Sequence, residues 1–333
     1  MDKAKQSFNL GLIFRLGGVL LLLAGLTGLF IAPAEIQVYS QFEAGGRFAY
    51  EGFGFGSLMF GNITVQVIGY YFIGLICTPL GYGHLRLRRW ARPASEMLLV
   101  DWLVLGLPLT LVAMAMLLTS KDIPSSALPL LIILFLLFYP LLPVGLLLLY
   151  RSHRVRALFQ RQGAGPVALD DRPLPQLVLG SLLAFFALFL GLPLLFNGAF
   201  PFFGRYLFDL SGLLASQLAI LVLIVVAWGL FRGRPWAWWA ALLALSVLIG
   251  SATATFLATT PADLFAGMHL AEMEREILAN VPLQSTQLLL LFVPPLLVSL
   301  VLLIAWRREF GQGIDKAELN QPESIKADRE NSR

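Results

Sequence analysis

Residues 127–150, ALPLLIILFLLFYPLLPVGLLLLY, carry no charged side chain. About 20 apolar residues in helical conformation suffice to cross the hydrocarbon core of a bilayer. From Leu130 to Phe138 every residue is apolar. A membrane strand would alternate apolar and polar positions, so this run is read as a helix, which satisfies its own backbone hydrogen bonds in lipid. Outward from it, comparable runs fall near 9–32, 60–82, 97–119, 176–199, 211–231, 236–258 and 285–306. The reading is an all-α polytopic membrane protein with eight spans. Composition agrees, since 58% of the 333 residues are hydrophobic and only 13% charged, against about 25% charged in soluble domains. Mean hydropathy is +0.77. Cys77 is the only cysteine, which excludes a disulfide scaffold and a thiolate metal site.

Lysine and arginine set the expected orientation, because cytoplasmic loops accumulate them. Of the 24, 20 fall on one side of the spans: up to Arg15, in the turn 86–92, in 151–172, at Arg232 and Arg234, and from Arg307 onward. The other side holds Arg47, Lys121, Arg205 and Arg275 among nine acids. Both termini are expected in the cytoplasm, and the plasma membrane is the expected location. The net charge of +4 is spread over five juxtamembrane segments. That distribution suits anionic headgroups of the lipid bilayer and not nucleic acid, for which no recognition fold is visible. The first span with Ala32-Pro33-Ala34 resembles a signal peptide, but proline beside a scissile bond fits poorly and the span is read as retained.

The segment 159–175, FQRQGAGPVALDDRPLP, has no apolar periodicity and reads as a cytoplasmic linker. It separates a first four-helix half, 1–158, from a second, 176–310, which a polar tail of mixed charge, 311–333, follows. The tail reads as disordered. Arg88-Arg89-Trp90-Ala91 matches Arg234-Pro235-Trp236-Ala237, and Tyr150-Arg151 matches Trp306-Arg307. Four spans per half keep both halves in the same orientation, so the expectation is a four-plus-four parallel repeat about an axis along the membrane normal. Convergence on a common inner-leaflet boundary, basic residues followed by Trp, is the alternative. In the second half, 261–282 reads as one short helix between Pro261 and Pro282.

Few residues offer chemistry. His269, Glu272 and Glu276 fall at i, i+3 and i+7 on that short helix, which makes them a candidate metal set, with a solvated acidic stripe as the alternative. Asp101 is the only acid well inside a span, and intramembrane carboxylates are functional candidates; Arg92 is placed to neutralise it near the interface. His84 and His153 read as interfacial polar residues among arginines. Neutral polar residues within spans, namely Asn62, Gln66, Asn197, Ser246 and Ser251, are candidate ligand contacts together with Asp101. Gly250 with Ala254, and Ala237 with Ala241, are small residues four apart that permit close helix approach. Pro140, Pro143, Pro193, Pro294 and Pro295 should kink their helices, as in the broken helices of transporter sites. Phosphate loops, dinucleotide fingerprints, nucleophile elbows and haem or metal clusters are absent, so no cofactor is expected.

Three function classes fit. The first is a non-enzymatic protein that binds or transports a weakly polar or lipid-like ligand, or another small molecule, between its halves. The second is a structural or assembly partner of a membrane complex that docks a protein through 311–333. An enzyme acting at the membrane, through Asp101 or the His269 set, ranks third.

Overall fold

The computed structural model describes residues 2–42, 57–119, 124, 126–162, 172–268, 270, 272–279 and 283–319. Helices dominate: α1 (Asp2–Tyr39), α2 (Leu58–Leu85), α3 (Ala91–Thr119), α4 (Leu128–Leu136), α5 (Leu142–Arg151), α6 (His153–Gln162), α7 (Leu174–Phe189), α8 (Asp209–Phe231), α9 (Pro235–Ala258), α10 (Pro261–Ala266), α11 (Glu272–Ala279) and α12 (Ser285–Leu319). Eight stretches of the described residues are long and apolar enough to cross a membrane, and each overlaps one of the eight runs read from the sequence. The protein is a multi-pass, all-α integral membrane protein.

Three details depart from the expected outline. The fourth span is α4 and α5 joined by a π turn, Leu137–Leu141, that contains Pro140. Proline has no N–H for the helix ladder, and a wider turn absorbs the mismatch without breaking the span. The fifth span stops at Phe189 and continues as a 3-10 turn, Leu192–Phe196, followed by an antiparallel hairpin of β1 (Phe200–Phe202) and β2 (Arg205–Leu207). Asn197, Phe203 and Gly204 take positive φ there, and such backbone cannot continue a helix. The helix expected over 261–282 is two pieces, α10 and α11, because α10 ends at Gly267, against which the Phe208 ring is packed. The segment 43–56, most of the linker and residues 320–333 lie outside the described residues, and α12 runs on to Leu319.

The largest core lies between α7, α8, α9 and α12, with Leu179, Leu182, Leu183, Leu230, Ala241, Leu245 and Leu303 fully buried. α3 packs against α5 but also against α7 and α12, so Val100, Val104 and Leu105 join the core between α7, α8, α9 and α12. α1 and α2 form a tight hairpin at the side, and α6 folds Val155 and Phe159 back against Phe14 of α1.

The two short basic turns are built alike. In the first, the amides of Arg86, Leu87, Arg88 and Ala91 donate to the carbonyls of Tyr82, His84, Gly83 and Arg88. In the second, the amides of Arg232, Gly233, Arg234 and Ala237 donate to those of Trp228, Leu230, Gly229 and Arg234. Leu87 and Gly233 hold the left-handed position, with φ of 46° and 66°, that closes such a helix end. Trp90 and Ala91 lie on Gly83 just as Trp236 and Ala237 lie on Gly229.

Candidate functional site

Away from the basic turns, the spans diverge around a cavity of about 600 Å³. Its walls come from the middle of α3, the later halves of α7 and α9 and the first turns of α12, with Tyr139 of the π turn added from the side. Phe196, Phe200, Tyr206 and Met268, from the 3-10 turn, the hairpin and the end of α10, cover one end. Aromatic rings dominate the lining: Trp102, Tyr139, Phe185, Phe186, Phe189, Phe256 and Phe292 belong to it, and no charged side chain does. The cause lies in the sequence, where phenylalanines at 185, 186 and 189 turn one face of α7 toward Phe256 and Phe292. Such a surface suits apolar or weakly polar molecules through dispersion and ring contacts.

Ser251 is the one residue of the six ligand candidates that lines this cavity. Its hydroxyl donates to Pro201 O at 2.7 Å and accepts from Phe203 N at 3.2 Å, so it ties the hairpin to α9. Thr255, one turn on, accepts from Gly204 N at 3.1 Å. Asn197 shapes the covering loop: its backbone is left-handed, its carbonyl accepts from Asp209 N at 2.9 Å, and its amide donates to Gly267 O at 3.4 Å. Asn62, Gln66 and Ser246 are exposed on the sides of the bundle, away from the cavity.

Asp101 is buried, at 8% exposure, between α3 and α7, with the Ser181 hydroxyl beside its carboxyl. Arg92 does not neutralise it. Its guanidinium bonds Glu96 at 2.6 Å, one turn along the same helix, because i,i+4 spacing brings those two together while Asp101 faces α7. Asp101 and Ser181 each stand one turn before a cavity residue, Leu105 and Phe185 respectively, so they lie just beneath the cavity floor.

His269 of the proposed metal set lies outside the described residues. Glu272 and Glu276 are exposed, and no cluster of three or more metal-ligating side chains occurs among the described residues. The buried acid of α11 is instead Glu274, whose carboxylate accepts from Met59 N at 3.2 Å. A carboxylate at the first turn of α2 complements the orphan amides of that helix end.

At the covering end, Asp263 closes a capping box with Thr260, whose backbone amide and hydroxyl donate to it at 2.7 and 2.8 Å and hold its carboxyl below the usual carboxylate range. Burial pushes the Tyr206 hydroxyl above the usual tyrosine range, the Thr259 hydroxyl offsets part of that, and the Asp263 charge adds to it.

A second buried group departs from the interfacial position expected of it. His84 is 1% exposed and enclosed by Phe14, Tyr150 and Phe159. Nδ1 donates to Leu80 O at 2.8 Å, which leaves Nε2 to accept from the Tyr150 hydroxyl at 2.5 Å. Both ring nitrogens are thus engaged, and the group pins α2 to α5 below the cavity as a structural knot.

No family model, curated protein or solved structure matches this chain. The class is set by the fold: a polytopic helical membrane protein with an uncharged, aromatic-lined cavity.

Proposed function

We propose that the protein binds, and transports, a weakly polar or lipid-like ligand held between its two halves. The cavity carries this reading. Its volume of about 600 Å³ falls within the range of small-molecule sites, its wall bears no charge, and it is bounded by α3 and Tyr139 from the first half and by α7, α9 and α12 from the second. The likeness of the two basic turns supports a duplication of a four-span unit, in which each half keeps the same orientation and a ligand site falls between them. The basic residues of 86–92, 151–172 and 232–234 support placing both termini in the cytoplasm of a plasma membrane, with the cavity in the opposite leaflet.

Filling the cavity tests this. Protein released from lipid nanodiscs should retain a stoichiometric small molecule or lipid in native mass spectrometry, and in detergent it should bind the neutral fluorophore 1-aminoanthracene. Ala252→Phe and Leu288→Phe, which place rings in the cavity, should abolish both while leaving the helical circular dichroism unchanged. A wild-type protein that holds neither, or filled variants that hold both as well as the wild type, would overturn the reading.

A further inference from the structure

Resting on the reading of the cavity as the ligand site, we infer that its ligand is a lipid of the bilayer itself, admitted tail first through a side opening at α3. Trp102 and Leu109 line the cavity and are nonetheless 40% and 41% exposed, so the wall they form is not closed over by neighbouring elements. They stand seven residues apart on one face of α3, with Gly106 between them. At Gly106 the wall is bare backbone: a Cβ there would come within 2.9 Å of the Tyr139 ring and 3.1 Å of Trp102. Tyr139 therefore lies across the opening like a flap, half-buried and stacked on Phe135 at 5.7 Å.

The flap sits on the π turn Leu137–Leu141, the irregular point of its span, with Pro140 next to it. A π turn interrupts the regular i→i−4 hydrogen-bond ladder, and such turns are frequent at functional sites. A water-borne ligand would have to pass the end covered by Phe196, Phe200 and Met268, whereas an acyl chain in the leaflet would enter beside Trp102 and Tyr139. Because the lining holds no charge, the tail enters and the headgroup stays at the mouth.

The test uses full-length protein in liposomes containing phosphatidylcholine with a photoreactive diazirine near the end of one acyl chain. Irradiation should label Phe186 and Leu288, which are buried within the cavity wall. In a Cys77→Ala background, Gly106→Cys with Tyr139→Cys, bridged by a short cleavable thiol cross-linker, should lose that label and recover it on reduction. Tyr139→Ala, with no cross-link, should gain label faster than wild type. Labelling of Phe186 and Leu288 that persists in the bridged protein would overturn the side opening. Absence of label there, while 1-aminoanthracene still binds, would overturn the lipid assignment and leave the cavity reading standing; absence of both would remove the two together.

Discussion

Ser251 shows how little the identity of a polar residue says about its use. Its two hydrogen bonds tie the hairpin to α9, and both partners are part-buried backbone groups of the hairpin. Ser251→Ala should therefore cost roughly 1–3 kcal/mol, the penalty of a buried unsatisfied group, seen as a lower thermal midpoint in detergent. A loss well below that would mean that water replaces the serine. The six ligand candidates were legible as polar residues on apolar spans, but the sequence gives depth and not direction around the helix. Asn62 and Gln66 are one turn apart and both face outward, whereas Asp101 faces α7 because its helix is gripped on two sides. The aromatic lining had a visible signal, the density of phenylalanine and tyrosine between 185 and 208, which a search for polar groups passes over.

Among elements, the α1–α2 hairpin rests on glycine. Gly18 lies against Gly81 O and Leu85 N, Gly25 against the hydroxyl and N of Thr78, and Gly28 against Tyr70 O, so the two backbones approach closely. Lipid offers no hydrophobic drive between spans, and close packing of this kind replaces it. Gly25→Leu should separate the helices and destabilise the protein by about 1–3 kcal/mol, as expected for overpacking. Gly17→Leu, where nothing lies within 4 Å, should leave the thermal midpoint unchanged. If both variants melt like the wild type, the hairpin is held by something other than this contact. Span positions were readable because apolar length is a local property. The π turn, the 3-10 stop at Leu192–Phe196 and the break at Gly267 were not, since prolines and glycines mark an irregularity without choosing its form. Ala237 and Ala241 do fill a fully buried contact, while Gly250, which has the same four-residue spacing to Ala254, is exposed.

At the scale of the molecule, the charge pattern predicts a single orientation. In intact cells carrying the Cys77→Ala background, a membrane-impermeant maleimide should label Arg275→Cys, and should label Arg154→Cys only after lysis; both positions are exposed. The reverse pattern would invert the proposed topology and place the cavity in the cytoplasmic leaflet. The sequence by itself determined the number, approximate position and helical nature of the spans, because the bilayer acts on each segment separately through hydrophobic length and backbone satisfaction. Only the tertiary structure decided which faces meet: that α3 packs on α7 and α12 as well as on α5, that Arg92 is taken by Glu96, and that ten aromatic side chains from distant segments converge on one cavity. Side chains that are uniformly apolar give no preference among rotations about a helix axis, so the azimuth of each span is set by packing with its neighbours.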